Sequence, residues 1–401
     1  MPVTGQRPLL SGGFLALLSS GAPVGLAVSG GGDSVALLHL AAGSGGNISV
    51  ASVDHGLRAA AADESAMVAG LCRRYGLPHQ ILRWSPGWDG TGNLQEKARN
   101  ARYALLADWA NAAGICDIAL GHTADDQAET VVMALARGAG VDGLSGMGAV
   151  TEKDGLRFHR PLLKVTRRQL RDYLTTAGHA WCDDPSNDNP AYERIRVRQA
   201  AELLAGLGLA PQALAQVAEH MTQAAQALRH QAADHAASYI LRQHGDMLVT
   251  VSLNDLSAEQ ARRLVLAAMA WVNRSLIAPR RDEQTRLMQT LRQGRAAMLA
   301  GCAFSFEGPV LRISREFAAI RDHVTTTTQL WDARWQLSGP HDTTLELRAL
   351  GVGIDHCPAW RDAGLTHASM QATPAVWQED RLICAPLAGF GQGWRAQIVA
   401  E

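Results

Sequence analysis

The stretch from Val28 to Ser34, VSGGGDS, has the residue types of a loop that could bind phosphate. It joins an apolar run that predicts a strand, Val24 to Val28, to a run that predicts a helix, Ser34 to Ala42. Backbone amides and the positive end of the helix dipole at such a junction favour an anion. Glycines let the backbone approach the ligand closely, and the hydroxyls of Ser29 and Ser34 could donate hydrogen bonds. The sequence therefore predicts an anion site here.

Asp33 distinguishes this loop from a bare phosphate cradle, because its carboxylate could hold Mg²⁺ between phosphates. The loop lacks the lysine of the GxxxxGK(S/T) pattern, and it does not fit GxGxxG. The loop therefore gives no support for a P-loop nucleoside triphosphatase or for a dinucleotide dehydrogenase. A glycine-rich turn without a ligand is the structural alternative.

The hexapeptide SGGGDS resembles the SGGxDS signature of the PP-loop ATP pyrophosphatases. Those enzymes split ATP between the α and β phosphates and transfer AMP to a carbonyl oxygen. The resemblance implies ATP and Mg²⁺ as cofactors, with Asp33 as a catalytic residue and metal ligand. The ATP-binding residues that it implies in this loop are Ser29, Gly30, Gly31, Gly32, Asp33 and Ser34.

Further segments, in the expected order, resemble the tRNA(Ile)-lysidine synthetases over about the first half of the chain. They are Val53-Asp54-His55-Gly56-Leu57-Arg58, Asn93-Leu94-Gln95 through Arg102-Tyr103, Gly121-His122-Thr123-Ala124-Asp125-Asp126-Gln127-Ala128-Glu129-Thr130, Arg160-Pro161-Leu162-Leu163 and Asp184-Pro185-Ser186-Asn187. The resemblance implies that ATP adenylates the C2 carbonyl of the wobble cytidine in a CAU-anticodon isoleucine tRNA. The ε-amino group of free lysine then displaces AMP and forms lysidine.

His122, Asp126 and Glu129 form a second group that could do chemistry. Asp126 and Glu129 stand at i and i+3 of a predicted helix, so two carboxylates and an imidazole can face one pocket. Such a pocket suits a cationic amine and could help to remove its proton. The resemblance likewise implies lysine binding by Asp126 and Glu129, and we predict a catalytic role for His122. A solvated acidic helix start that complements the dipole is the alternative.

Arginines supply the cationic side of the predicted site. Arg102 is our choice over Arg99 for stabilising charge at the α-phosphate during adenylyl transfer. The segment from Tyr192 to Arg198 has three arginines at alternating positions, Arg194, Arg196 and Arg198, and predicts a patch for backbone phosphates or for the phosphates of ATP. Ile195 departs from a common family form there, and Arg194 is our first choice, and Arg198 our second, for the functional arginine. Arginines paired with carboxylates on surface helices are the alternative in both segments.

Asp54 and His55 end the second predicted strand, where a nucleotide in such folds commonly meets side chains. We therefore predict that both bind ATP, with Arg58 on the loop that follows. A buried histidine with its hydrogen bonds satisfied is an equally good interpretation of His55.

The order of apolar and amphipathic runs from Val24 to Lys164 predicts an α/β fold with a doubly wound parallel sheet. The predicted strands are Val24 to Val28, Ile48 to Val53, His79 to Arg83, Ile115 to Leu120 and Arg157 to His159, and the predicted helices are Ser34 to Ala42, Asp63 to Tyr75, Asn93 to Ala113 and Asp125 to Ala136. Helical sequence follows from Val197 to Ser238 and from Ser257 to Gly301, with a strand from Leu248 to Leu253.

These patterns predict a catalytic domain over residues 1–215, a helical tRNA-binding domain over 216–323 and a small C-terminal domain over 324–401. Eight arginines against two acidic residues between Arg262 and Arg295 could track a tRNA backbone. A solvated helix face is the alternative for any one of them. The predicted tRNA-binding residues are Arg196, Arg198, Arg262, Arg263, Arg280 and Arg281.

Composition limits the remaining classes. The formal charge of −1 provides no global positive field, so any polyanion site must be a local patch. The six cysteines form no CxxC pair and no zinc-like cluster, which fits a reducing cytoplasm. The longest apolar stretch, Leu264 to Val272, is too short to span a bilayer, and we expect neither a membrane segment nor an export signal.

Related chemistries have less support in the sequence. Thiolation of tRNA by sulfur transfer needs a cysteine relay or a cluster held by paired cysteines, and this chain has no such pair. An amidating ligase for a free metabolite would usually have an ammonia-generating partner or domain, and nothing in this chain resembles one. A non-catalytic descendant would have lost residues such as Asp33 or His122, which are present. The sequence leaves a homodimer open.

Overall fold

The computed structural model describes residues 9–56, 60–85, 87–88, 90–182, 193–275 and 277–399. Arg58 and the Asp184-Pro185-Ser186-Asn187 segment lie outside the described residues. The chain divides into two compact units, Met1–Ala225 and Gln226–Glu401. The division into three domains stays a prediction.

The first unit contains a six-stranded sheet with the strand order β3-β2-β1-β4-β6-β5. Only β5, at one edge, runs antiparallel to its neighbour among the described strands of this sheet. The strands are β1 Pro23–Ala27, β2 Asn47–Asp54, β3 His79–Arg83, β4 Asp117–Leu120, β5 Val150–Lys153 and β6 Leu156–His159. The predicted α/β fold and its parallel sheet are confirmed, whereas β5 was not predicted.

Helices precede, connect and follow these strands. They are α1 Gly12–Ser19, α2 Gly32–Ser44, α3 Ala60–Tyr75, α4 Leu94–Ala112, α5 Ala124–Ala136, α6 Val141–Leu144, α7 Arg167–Thr176, α8 Glu193–Gln199, α9 Ala201–Gly206 and α10 Pro211–Tyr239. The long helical run predicted from Val197 is interrupted at Ala200, between α8 and α9, and again between α9 and α10. Gly208 adopts φ +85° before α10, and Pro211 then begins α10, a position that suits its fixed φ.

Apolar side chains cover both faces of the sheet. Leu26 and Val50 pack with residues of α2 such as Leu37, while Ala51 packs on the opposite face with Trp109 of α4. Gly25 of β1 is required by this packing, because a Cβ there would stand 2.8 Å from Cζ3 of Trp109. Consecutive residues of the central strands β1 and β4 are buried, as expected for a sheet with helices on both faces.

The chain order reverses next to β1, which pairs with β2 on one side and with β4 on the other. Ala27 and Leu120 are register partners at the carboxyl ends of β1 and β4. The loops that follow these two strands therefore leave the same edge of the sheet side by side. In open α/β sheets, this switch point is where ligands bind.

The second unit contains an antiparallel sheet with the order β7-β8-β11-β10-β9, together with helices α11 and α12. Two smaller sheets have the orders β12-β14-β15-β16 and β13-β17. The elements are β7 Ile240–Gln243, β8 Asp246–Val249, α11 Ala258–Asn273, α12 Arg281–Arg292, β9 Ala297–Leu299, β10 Cys302–Glu307, β11 Val310–Arg315, β12 Thr325–Thr326, β13 Trp335–Ser338, β14 Glu346–Ala349, α13 His367–Gln371, β15 Pro374–Gln378, β16 Arg381–Cys384 and β17 Arg395–Ile398. Short 3-10 helices span Phe317–Ala319, Gly351–His356, Trp360–Ala363 and Pro386–Ala388.

The predicted helix from Ser257 to Gly301 is two helices followed by strand β9. Apolar residues of α11 and α12, among them Leu264 and Leu287, pack with Phe304 and Ile313 of the sheet, so the region is a mixed layer and not helix alone. Within the described part of the chain, no helix is both long and apolar enough to cross a membrane.

Candidate active site

The phosphate loop after β1 is held in shape by its own hydroxyls. Ser34 Oγ donates to the carbonyl of Gly31 at 2.9 Å and accepts from the backbone N–H of Ser29 at 3.2 Å. Gly30 adopts φ +92°, a conformation that favours glycine. Helix α2 then begins after Gly31 without a side-chain cap from any described residue, so its first amides remain available to an anion.

Asp33 lies in the first turn of α2 with its two carboxylate oxygens in different surroundings. Oδ2 accepts from Nε of Arg167 at 3.1 Å, whereas Oδ1 is buried and has no hydrogen-bond partner among the described residues. Burial raises the pKa of Asp33, and Arg167 opposes that shift only in part. A buried carboxylate oxygen without a partner fits a bound cation, so the residue is chemically suited to hold Mg²⁺.

The acidic pair lies at the start of α5, on the neighbouring loop. Thr123 caps this helix, and its backbone N–H and hydroxyl each donate to Oδ2 of Asp126 at 2.9 Å. Asp126 and Glu129 are only 9% and 4% exposed, so the alternative of a solvated acidic helix start is wrong for these two residues. Burial acts to raise the pKa of Asp126, but the guanidiniums of Arg194 and Arg167 outweigh it and hold that pKa below its usual range.

Helix α8 brings Arg194 and Arg198 to the acidic pair. Arg194 contacts Oδ1 of Asp126 through Nη2 at 2.9 Å and also pairs with Glu129 through Nε. Arg198 Nε lies 2.8 Å from Glu129 Oε1. Residues four apart share a helix face, which places both arginines on the carboxylates, whereas Arg196 faces away and is exposed. The structure therefore separates the three arginines whose alternation suggested one basic patch.

Arg167 is a member of this cluster that the sequence analysis missed. Besides Asp33, it contacts Asp126 at 3.5 Å and Glu129 at 3.8 Å. The carboxylates outweigh burial and raise the pKa of Arg167. Its position shortly after the Arg160-Pro161-Leu162-Leu163 motif was the available signal.

His122 follows β4 and lies beside Asp126. Its Nδ1 accepts from Nε of Arg160 at 3.2 Å, and because a guanidinium cannot accept, the neutral ring carries its proton on Nε2. Burial lowers the pKa of His122 to about 4, and Arg160, Arg194 and Arg99 add to this against the opposing effect of Asp126. Near neutral pH, His122 is therefore an uncharged hydrogen-bond donor.

Arg102 and Arg99 lie on exposed positions of α4. Arg99 stands 5.4 Å from the ring centroid of Tyr103 and is close enough to lower the pKa of both His122 and Arg160. The structure forms no ion pair between Arg102 and any described carboxylate. The catalytic role of Arg102 stays a prediction.

Asp54 ends β2, and its Oδ1 accepts from the backbone N–H of Gly56 at 2.9 Å, which shapes the turn after the strand. His55 packs edge to face with Trp84 at a centroid distance of 5.8 Å. Their predicted contacts with ATP stay predictions.

The predicted tRNA-binding arginines of the second unit differ in their surroundings. Arg262 and Arg263 share the carboxylate of Glu259, with contacts of 2.6 and 2.8 Å. Arg280 and Arg281 are exposed at the start of α12. One carboxylate only partly offsets the two guanidiniums of Arg262 and Arg263, whereas Arg280 and Arg281 stand beside Asp282 and Glu283 in the first turn of α12.

Comparison with known proteins identifies relatives of the chain. Residues 14–203 match the family model of a PP-loop domain named ATP_bind_3. A tRNA(Ile)-lysidine synthase of Ruegeria pomeroyi is 44% identical over 94% of this chain and 91% of its own length. Proteins of the same name from Zymomonas mobilis and Novosphingobium aromaticivorans are 40% and 39% identical, over 69% and 72% of this chain and 84% and 88% of their own lengths.

Proposed function

Because this chain belongs to the tRNA(Ile)-lysidine synthase family, we propose that it ligates free lysine to the wobble cytidine of the CAU-anticodon isoleucine tRNA at the expense of ATP. The observation that carries the proposal is the juxtaposition of two groups at the β1 and β4 ends of the sheet. A phosphate loop with an unpartnered carboxylate oxygen lies beside a buried pair of carboxylates suited to an amine.

The first step would transfer AMP to the tRNA. The C2 carbonyl oxygen of the cytidine attacks the α-phosphorus of ATP, and pyrophosphate leaves. The glycine loop and Ser29 and Ser34 would bind phosphate oxygens, and Asp33 would hold Mg²⁺, which neutralises phosphate charge when bound. Arg102 and Arg194 would stabilise the charge that develops at the α-phosphate. Asp54 and His55 would complete the nucleotide pocket.

The second step would transfer lysine. The ε-amino nitrogen attacks C2 of the adenylated cytidine, the bond from C2 to the AMP oxygen breaks, and one proton leaves the nitrogen. Asp126 and Glu129 would hold the ammonium group and first receive the proton that converts it to the free amine, because only the free amine is a nucleophile. The proton that leaves the nitrogen as the bond to C2 forms is a second one. His122 would position the reacting base through its Nε2–H, since its Nδ1 is engaged by Arg160.

The tRNA would be held by local basic surfaces. The exposed Arg196 of the first unit and the exposed Arg280 and Arg281 of the second support backbone contacts, and Arg262 and Arg263 on α11 add positive charge within the second unit. A single-stranded anticodon loop presents one base to a pocket at low cost. The reaction would take place in the cytoplasm, where tRNA, ATP and lysine meet.

Incorporation of radiolabelled lysine into bulk bacterial tRNA tests the proposal. The reaction contains ATP and Mg²⁺, and mild alkali afterwards removes any esterified amino acid. We expect alkali-stable, ribonuclease-sensitive label that is lost in Asp33→Ala and kept in Asp108→Ala, a change on α4 away from the carboxylate cluster. Cleavage of ATP to AMP and pyrophosphate without such label would discard lysine as the substrate.

A further inference from the structure

Arg167 connects the two halves of the candidate site. Its Nε contacts Asp33 at 3.1 Å on the phosphate loop, and its Nη atoms face Asp126 and Glu129 of the acidic pair. Among the described residues, it is the only arginine that contacts both Asp33 and this pair. Any movement of this side chain therefore changes the electrostatic surroundings of both groups.

Arginines of this chain already compensate the acidic pair. Both oxygens of Glu129 face guanidiniums, those of Arg198 and Arg194. Oδ1 of Asp126 faces Arg194 and Arg167, while Oδ2 accepts twice from Thr123. An ammonium group that entered this pocket would meet guanidiniums at three of the four carboxylate oxygens. Repulsion between like charges would oppose its binding until an arginine moved away.

The backbone of Arg167 is fixed, so only its side chain can respond. Its N–H donates to Oδ2 of Asp125 at 2.8 Å, and Thr166 caps helix α7 in a reciprocal arrangement with Gln169. Leu170 and Leu174 of the same helix are fully buried against the core. The guanidinium lies beside the loop that is expected to receive phosphates, which attract an arginine more strongly than a single carboxylate does.

We propose that Arg167 is a positioning residue that couples the two substrates: its guanidinium contributes to neutralising the acidic pair and turns to the phosphates when nucleotide binds. Lysine then binds tightly only to the nucleotide-loaded enzyme. This inference rests on the proposed function, because it takes ATP and lysine as the two ligands. By thermodynamic linkage, lysine tightens nucleotide binding by the same factor.

Equilibrium dialysis of radiolabelled lysine against the full chain tests the coupling, with and without Mg²⁺ and α,β-methylene-ATP. We expect the nucleotide to tighten lysine binding at least about fivefold, the low end of ordinary coupling between sites. In Arg167→Gln, lysine should bind more tightly than in wild type without nucleotide, and the analogue should bind more weakly. A merely structural arginine would weaken both ligands when lost.

Arg168→Gln is the matched control, because Arg168 is the adjacent residue and is exposed. It should keep the coupling of wild type. Arg167→Lys keeps the positive charge but not the contacts that the guanidinium makes through several nitrogens. The effect of nucleotide on its lysine affinity should lie between the effects in wild type and in Arg167→Gln. If Arg167→Gln does not fold, Arg167→Lys and the reciprocal measurement on wild type, tightening of the analogue by lysine, still decide the question.

Two results would overturn the inference. One is a lysine affinity of wild type that does not change with nucleotide, and the other is equal coupling in wild type and the Arg167 variants. Lysidine formation together with either result would leave the proposed function intact. A wild-type protein that binds no lysine in any state and labels no tRNA would remove both proposals.

Discussion

Gly121 lies directly against Asp33, since a Cβ on Gly121 would stand 3.1 Å from the carbonyl carbon of Asp33 and 3.0 Å from Cα of Ser34. The contact joins the loop after β4 to the first turn of α2, so the two groups of the candidate site are fitted to each other through backbone atoms. Backbone cannot move aside as a flexible side chain can, which makes Gly121 sensitive to any substitution.

Gly121→Ala should therefore displace the phosphate loop. We expect the KM for ATP in lysidine formation to rise about tenfold or more, with a loss of roughly 1 to 3 kcal/mol in the free energy of unfolding from overpacking. Gly43→Ala is the control, because Gly43 is helical and a Cβ there meets no atom within 4 Å. Steady-state kinetics and urea unfolding measure both effects. An unchanged KM in Gly121→Ala would show that the contact does not shape the loop.

His122 should make the folded protein less stable as the pH falls. Its pKa of about 4 in the folded state lies below the ordinary value of 6.5, so the unfolded chain takes up a proton first. The stability that depends on neutral His122 is complete above pH 6.5 and is lost between pH 6.5 and 4. The loss from pH 7 to 5 is on the order of 2 kcal/mol.

Urea unfolding at pH 7 and pH 5 measures this effect. His122→Gln should show a shallower pH dependence than wild type, whereas His220→Gln, a change at an exposed position of α10, should match wild type. Equal slopes for wild type and His122→Gln would contradict the depressed pKa.

Asp126→Ala should separate the two half-reactions. The variant keeps the phosphate loop, so transfer of AMP to tRNA should stay detectable, while the KM for lysine rises at least about tenfold because a charge-assisted contact is lost. Asp142→Ala on the short helix α6 is the control, since Asp142 is exposed. Pyrophosphate release and lysine incorporation are measured in parallel. Equal loss of both would argue against separate roles.

Arg196 and Arg198 should differ although they are two residues apart on α8. Arg196→Ala should weaken tRNA binding and reduce the slope of log K against log salt by about 0.7 to 0.9, the share of one phosphate contact. Arg198→Ala should leave that slope unchanged and alter the lysine dependence, because Arg198 contacts Glu129. Filter binding across a salt series and lysine titrations test the pair. Identical salt slopes in both variants would contradict this division.

The sequence was sufficient for the parallel sheet and for the order of its strands in the chain, because buried strands and connecting helices have distinct periodicities. Local patterns also located the phosphate loop and the acidic helix start correctly at strand ends. The antiparallel strand β5 and most small strands of the second unit were missed, because runs of two to six residues carry too little periodicity.

The arginines show the limit of prediction within the site. Asp33 and Asp126, the neighbours of Arg167, are 134 and 41 residues away in sequence. They lie on α2 and α5, and only the packing of these helices near α7 brings them to Arg167. The alternation of Arg194, Arg196 and Arg198 suggested one patch, but a helical period of 3.6 residues divides them between two faces. The neighbours of Arg167 and the division of the α8 arginines do not follow from residue spacing alone, because both depend on which helices pack together.

The fit between Gly25 and Trp109 has an evolutionary consequence. The phosphate loop follows strand β1. The indole of Trp109 on α4 occupies the space into which any larger residue at Gly25 would extend. A lineage could replace the glycine only after the tryptophan had first become smaller, and that intermediate would carry a cavity under the catalytic strand. We therefore expect the residues at Gly25 and Trp109 to change together among descendants of this chain or not at all.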